Sequence, residues 1–182
     1  PAGRIVLRLA LPGRHNVANA AAATATALAV GAAPEAIASG LERMRPVAGR
    51  LEPKIIDRDI CIIDDTYNAN PASLQAALEV LATFPGRHWL VLGDMAELGD
   101  AAPDYHRQVA QMVRDYHVDR LLTIGELSRL TAASFGEGAD HHASLDALVA
   151  SLGESLEPHT TVLVKGSRSM RMERVVAALT SE

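Results

Sequence analysis

The stretch Ile60–Pro71 reads ICIIDDTYNANP. Four apolar residues in a row are what a strand buried on both faces requires, because neither face meets water. Asn70 then supplies a side-chain cap and Pro71 a preset first turn, so a helix is expected over 71–83. The same order of buried strand, polar loop and helix recurs downstream. WLVL (89–92) precedes GDMAELG (93–99) and a helix over 104–116, with Val109, Met112 and Val113 on one face. LLTI (121–124) precedes a helix over 127–135, and a short strand at 139–143 precedes one over 145–156. TVLV (161–164) leads through KGSRSM (165–170) into a helix over 169–179, whose stripe is Met172, Val175, Val176 and Leu179. Strand–helix alternation at this spacing predicts an α/β fold: a mainly parallel sheet with helices on both faces.

Upstream the pattern differs. RIVLRL (4–9) alternates as a short strand, followed by the punctuation Pro12-Gly13. His15–Val30 is an Ala-rich helix stopped by Gly31, and Pro34 opens a second helix over 35–43. RPVAG (45–49) breaks that pattern, which places a domain boundary near residue 47 and divides the chain into 1–46 and 47–182. The length of 182 residues suits one domain and part of another, at about 150 residues per domain. With 17 basic and 22 acidic side chains the formal charge is −5, against a general nucleic-acid binder. Aromatics are only 3%, so the core must be aliphatic, with closely packed Ala. No segment reaches the ~18 consecutive apolar residues of a membrane-spanning helix. One cysteine excludes an internal disulfide framework and a cysteine-based zinc site. A cytoplasmic protein is the expectation. The two lysines, Lys54 and Lys165, each follow a residue other than Gly, so the chain carries no Gly-Lys-Ser/Thr phosphate loop.

Ligands of open α/β sheets bind at the carboxyl ends of strands, and three such ends are polar. After ICII, Asp64 and Asp65 cannot both point into the core. One is a candidate for ribose hydroxyls, or either for a metal, with Tyr67, Asn68 and Asn70 adding polar groups. The bland reading is an ordinary loop in which Asp65 or Asn70 caps the helix. After WLVL, Asp94 and Glu97 are candidates for a metal or an amine, against a role as caps or solvated acids. After TVLV, Lys165, Gly166 and the hydroxyls that follow form a candidate anion site, with Arg168 offering a bidentate contact. Asn16 and Asn19, near His15 at the start of the Ala-rich helix, are candidate readers of a base edge, although Asn16 alone suits an N-cap. Gly49-Arg50 puts a guanidinium at the boundary, where both domains could meet a ligand. His141 and His142 point to opposite faces of a strand and are expected at the surface. His106 is expected to face solvent or a loop, and Cys61 to be an inert core residue.

GRHNVANAAAA (13–23), GRLE (49–52), IDDTYNANP (63–71), LVLGDMAELGD (90–100) and LVKGSRSMRMERVV (163–176) together resemble the Mur ligases of peptidoglycan synthesis, along nearly the whole chain. Within that family they resemble the type that joins D-alanyl-D-alanine to UDP-N-acetylmuramoyl-tripeptide. The resemblance implies three domains, of which this chain holds the end of the central ATPase domain (1–46) and the Rossmann-like C-terminal domain (47–182). It implies that His15, Asn16 and Asn19 lie at the adenine, that Arg50 reaches the ATP phosphates and that Asp65 binds the ribose. Tyr67, Asn68, Asn70, Lys165, Ser167 and Arg168 are implied on the side of the peptide or dipeptide substrate. The reaction implied passes through an acyl phosphate that the amine of D-alanyl-D-alanine attacks, with Mg2+ at the transferred phosphate.

The phosphate loop and the metal ligands of the family are expected upstream of Pro1. No catalytic and no metal-binding residue is therefore assigned to this chain, which alone is expected to be inactive, with 1–46 loosely held. A monomer is expected, with no nucleic-acid partner and no membrane segment. Two other readings remain: another Mur-type or folate-polyglutamate-like amino-acid ligase, and a non-catalytic nucleotide-binding or interaction module.

Overall fold

The computed structural model describes residues 4–56 and 59–181. It separates into two units, Pro1–Val47 and Ala48–Glu182. In the first, α1 (Arg14–Ala29) and α2 (Pro34–Glu42) are the only regular elements among the described residues. The expected strand over 4–9 is not formed: these residues have no ladder partner among the described residues, and Val6 is exposed. Alternation makes a strand possible, but only pairing makes it one. The cap of α1 is Gly13, not Asn16. Asn16 sits inside the first turn, and its side-chain amide donates to the Pro12 carbonyl at 2.7 Å.

The second unit contains β1 (Glu52–Ile56), β2 (Ile60–Asp65), α3 (Pro71–Leu81), β3 (Arg87–Gly93), α4 (Ala102–Asp115), β4 (Arg120–Ile124), α5 (Ser128–Phe135), β5 (Ala139–His142), α6 (Leu145–Ser155), β6 (Thr160–Lys165) and α7 (Glu173–Thr180). The strands form one sheet in the order β1-β2-β6-β3-β4-β5. All neighbours run parallel except β1, which pairs antiparallel with β2. β1 escaped the sequence reading because Glu52, Pro53 and Lys54 interrupt any apolar run. Pro53 has no N–H to give a ladder, which an edge strand tolerates.

Alternation along the strands sorts the core into two layers. Cys61, Ile63, Leu90, Leu92 and Leu163 meet Leu74, Leu78 and Val109 on one face. Ile62, Val91, Leu122, Val162 and Val164 meet Leu148, Leu152, Val175 and Val176 on the other. Helices therefore cover both faces, as the alternation demanded.

Local chemistry sets the helix starts. Asn70 accepts from the Ser73 N–H at 2.8 Å while Ser73 Oγ accepts from the Asn70 N–H at 3.0 Å, a closed capping box that starts α3. The last helix starts at Glu173, not at Ser169. Residues 168–170 form a 3₁₀ turn, and Arg171 at φ 51 breaks the helical path. At the sheet's carboxyl edge the backbones of Gly93 and Gly166 nearly touch. A Cβ on Gly166 would lie 3.3 Å from the Gly93 Cα and 2.6 Å from the Met172 side chain.

Candidate functional site

Asp64 and Asp65 project to opposite faces of β2, and each finds its own lysine. Asp64 is buried. It accepts from the Thr66 hydroxyl at 2.7 Å and lies 3.5 Å from Lys54 Nζ, beside Glu52 on the antiparallel edge. Asp65 stands directly across from Lys165 in the parallel register of β2 and β6. Lys165 Nζ donates to Asp65 Oδ2 at 2.5 Å and to the Asn68 carbonyl at 2.9 Å, with its side chain only 2% exposed. Two acceptors for the ammonium stabilise the pair; a lone ammonium at that depth would cost on the order of several kcal/mol. The other carboxylate oxygen of Asp65 accepts from the Leu51 N–H at 3.2 Å. Two residues that the sequence assigned to different ligands are thus each other's partner.

Around this pair the polar loops leave several groups open. Arg50 is exposed, its guanidinium 4.1 Å from the centre of the half-exposed Tyr67 ring. Stacking of this kind is worth about 0.5–1 kcal/mol at an exposed site and holds the cation in a defined place. The Tyr67 N–H donates to the Gly49 carbonyl at 3.0 Å. Gly49 is itself required: its φ is +73, and a Cβ would sit 3.1 Å from the Tyr67 nitrogen. Asn68 is exposed and its side-chain oxygen folds back to the Ala69 N–H. Asn70 is spent on the capping box. Arg168 is exposed and pairs loosely with Glu173 at 3.6 Å.

Ser167 is buried and knits two loops together. Its backbone N–H and its hydroxyl both donate to the Asp94 carbonyl, and the hydroxyl accepts from the Ala96 N–H at 3.0 Å. Asp94 accepts from the N–H groups of Leu127 and Ser128 at 3.1 and 2.7 Å, so it caps α5 rather than the helix that follows it. Glu97 remains exposed at φ +63. Among the described residues, no three His, Cys, Asp or Glu side chains converge as a metal cage.

His106 corrects the sequence reading. It is fully buried, accepts from the Met95 N–H through Nε2 at 3.0 Å and donates from Nδ1 to the Ala102 carbonyl at 2.8 Å. A ring nitrogen that accepts must carry a lone pair, so this pattern selects the neutral Nδ1–H tautomer. The signal was present, since His106, Val109, Ala110 and Val113 share one buried stripe of α4. Cys61 is buried, and burial pushes its thiol pKa up.

His15, Asn16 and Asn19 lie in the other unit, on the first turns of α1, where the Asn19 amide donates to Asn16 Oδ1 at 3.5 Å. His15 and Asn19 are exposed.

Comparison with known proteins gives this edge its context. Residues 49–168 match the family model described as "Mur ligase, glutamate ligase domain". The chain is 44% identical over 181 residues to the UDP-N-acetylmuramoyl-tripeptide–D-alanyl-D-alanine ligase of Escherichia coli (strain K12), covering 98% of this chain and 40% of that protein. It resembles the crystal structure of MurF from Acinetobacter baumannii with a TM-score of 0.84 and 34% identity, over 95% of this chain and 39% of that one. The MurF ligase from Thermotoga maritima, solved in complex with ADP, matches with a TM-score of 0.78 and 25% identity, over 92% of this chain and 38% of that one. The chain therefore spans about 40% of the length of the curated relatives it matches. With the family model covering most of the second unit and every loop of the carboxyl edge up to Arg168, the chain belongs to the Mur ligase family.

Proposed function

We propose that this chain works as the C-terminal part of an ATP-dependent amide ligase that adds D-alanyl-D-alanine to UDP-N-acetylmuramoyl-tripeptide in peptidoglycan synthesis. The observation that carries the reading is the 44% identity to the Escherichia coli ligase across 98% of this chain. Residues 1–46 are the end of a central ATP-binding domain, and 47–182 the C-terminal domain. ADP in the Thermotoga maritima relative supports an adenine nucleotide as ligand. The protein is a cytoplasmic monomer with no nucleic-acid partner.

In this reading His15, Asn16 and Asn19 address the adenine, and Arg50 the phosphates. A guanidinium steadied by the Tyr67 ring is suited to that task, because it can offer two parallel donors to phosphate oxygens without first losing rotamer freedom. Asp65 lies at the ribose side. Tyr67, Asn68, Asn70 and Arg168 serve the peptide substrate, while the buried Lys165 and Ser167 hold the neighbouring loops in place. The amine of the dipeptide attacks an acyl phosphate and phosphate leaves. Mg2+ would neutralise charge on the transferred phosphate, and no residue of this chain is assigned to hold it.

The test is phosphate release from ATP in the presence of UDP-N-acetylmuramoyl-tripeptide. The 182-residue chain alone is expected to be silent. The same chain joined to an upstream segment of the length its relatives have is expected to turn over with D-alanyl-D-alanine. Turnover only with glutamate, lysine or diaminopimelate as the amine would replace this reading with another ligase type. Nucleotide binding without turnover on any amine would favour a non-catalytic module.

A further inference from the structure

The buried ion pair does more than neutralise itself. Lys165 is fully withdrawn from solvent, so it has no free face for a ligand. Its two acceptors are Asp65 Oδ2 and the Asn68 carbonyl. The remaining oxygen of Asp65 holds the Leu51 N–H. Leu51 sits at φ 51, a left-handed conformation that a branched side chain adopts only when its surroundings hold it there. Leu51 directly follows Arg50, and Asn68 directly follows Tyr67. The Tyr67 N–H is bonded to Gly49, and the Tyr67 ring lies under Arg50. One ammonium on β6 thus anchors both sides of the Arg50–Tyr67 stack: the 49–51 segment through Asp65, and the 66–68 loop through the Asn68 carbonyl.

We infer that Lys165 is a positioning residue for Arg50, acting through Asp65 and the Asn68 carbonyl, rather than a contact for the substrate. The structural half of this inference stands on the geometry alone; its consequence for nucleotide use rests on the proposed ligase reading.

Two measurements separate these halves. The first is amide hydrogen exchange in the 182-residue chain. Lys165→Met keeps the unbranched shape of the side chain, one atom shorter, and removes its charge. It is expected to speed exchange at Leu51 and Tyr67 by about tenfold or more, with the amides of β3 and β4 unchanged. Unchanged exchange at Leu51 and Tyr67, or a uniform rise across the sheet, would overturn the inference. Asp65→Asn, which removes the charge of the other partner at constant volume, is expected to give the same local pattern and serves if the methionine variant does not fold. Unchanged exchange there overturns the inference equally.

The second measurement uses the ligase with its upstream segment. Lys165→Met is expected to raise KM for ATP in the same direction as Arg50→Ala, and the double variant to be less impaired than the product of the two. A rise confined to KM for D-alanyl-D-alanine would mean that Lys165 touches the dipeptide, and would sink the positioning role. If that protein shows no ligase activity with either residue intact, the ligase reading fails while the exchange result still decides the anchoring.

Discussion

Gly86 shows how little room a single position can leave. Its φ is +87, and a Cβ there would run into the carbonyl oxygen of His159, which accepts the Arg87 N–H at the entrance to β3. Backbone cannot step aside as a flexible side chain can. Gly86→Ala is expected to cost roughly 2–4 kcal/mol, read as a lowered urea midpoint at unchanged slope. His106 works by hydrogen bonding instead. His106→Leu leaves the buried Met95 N–H without an acceptor, and about 1–3 kcal/mol of stability should go with it. His106→Gln, which keeps an acceptor on a side chain of similar reach, should recover part of that loss; equal losses in both variants would show that the ring matters for packing alone. Neither effect is visible in composition. The sequence reading turned His106 toward solvent or a loop; only the fold places it on the buried stripe of α4 and brings Met95 to its Nε2.

At the scale of elements, β5 is the edge strand of the parallel side, and it carries His141 and His142. Both imidazoles are held below the ordinary value of 6.5, chiefly by burial; Asp140 pulls against this at His142, as Asp94 does at His141. A depressed imidazole takes up its proton later than it does in the unfolded chain. The stability it contributes is present above about pH 6.5 and is lost as pH falls through the lower folded-state value. Thermal melts at pH 7.0 and 5.5 should show a smaller acid loss in the His141→Gln/His142→Gln variant than in the parent, and equal losses would refute this. The other strands were readable from apolar runs because burial on both faces leaves no other composition possible. β1 was not readable: Pro53 and Ile55 face water, and its pairing is antiparallel. The start of α7 was misplaced because the left-handed Arg171 has no signature in residue type. Asn70-Pro71, by contrast, announced the start of α3 to the residue, since cap and first turn are chemistry of adjacent side chains, although the helix ends at Leu81 rather than Thr83.

At the scale of the whole chain, the two units differ in what holds them. Both core layers belong to the second unit, whereas α1 buries no residue and α2 buries only Ile37 and Leu41. A chain of residues 48–182 is therefore expected to melt within a few degrees of the full 182 residues and to keep one cooperative transition. Residues 1–47 alone should show no cooperative melt, because their helices bury almost no apolar surface and leave Val17, Leu28 and Val30 exposed. A large drop in the melting temperature of the shorter chain would contradict this division. The parallel α/β plan and the polar loops at the sheet's carboxyl edge were legible in the chain's own residues, because each follows from neighbouring residues and their period. What those loops do for one another emerges from long-range packing alone. It set Asp65 against Lys165 across 100 residues, put Ser167 between two loops and seated Arg50 on Tyr67. Pairings of that kind depend on strand register, and register is settled by packing across the sheet rather than by any local run of residues.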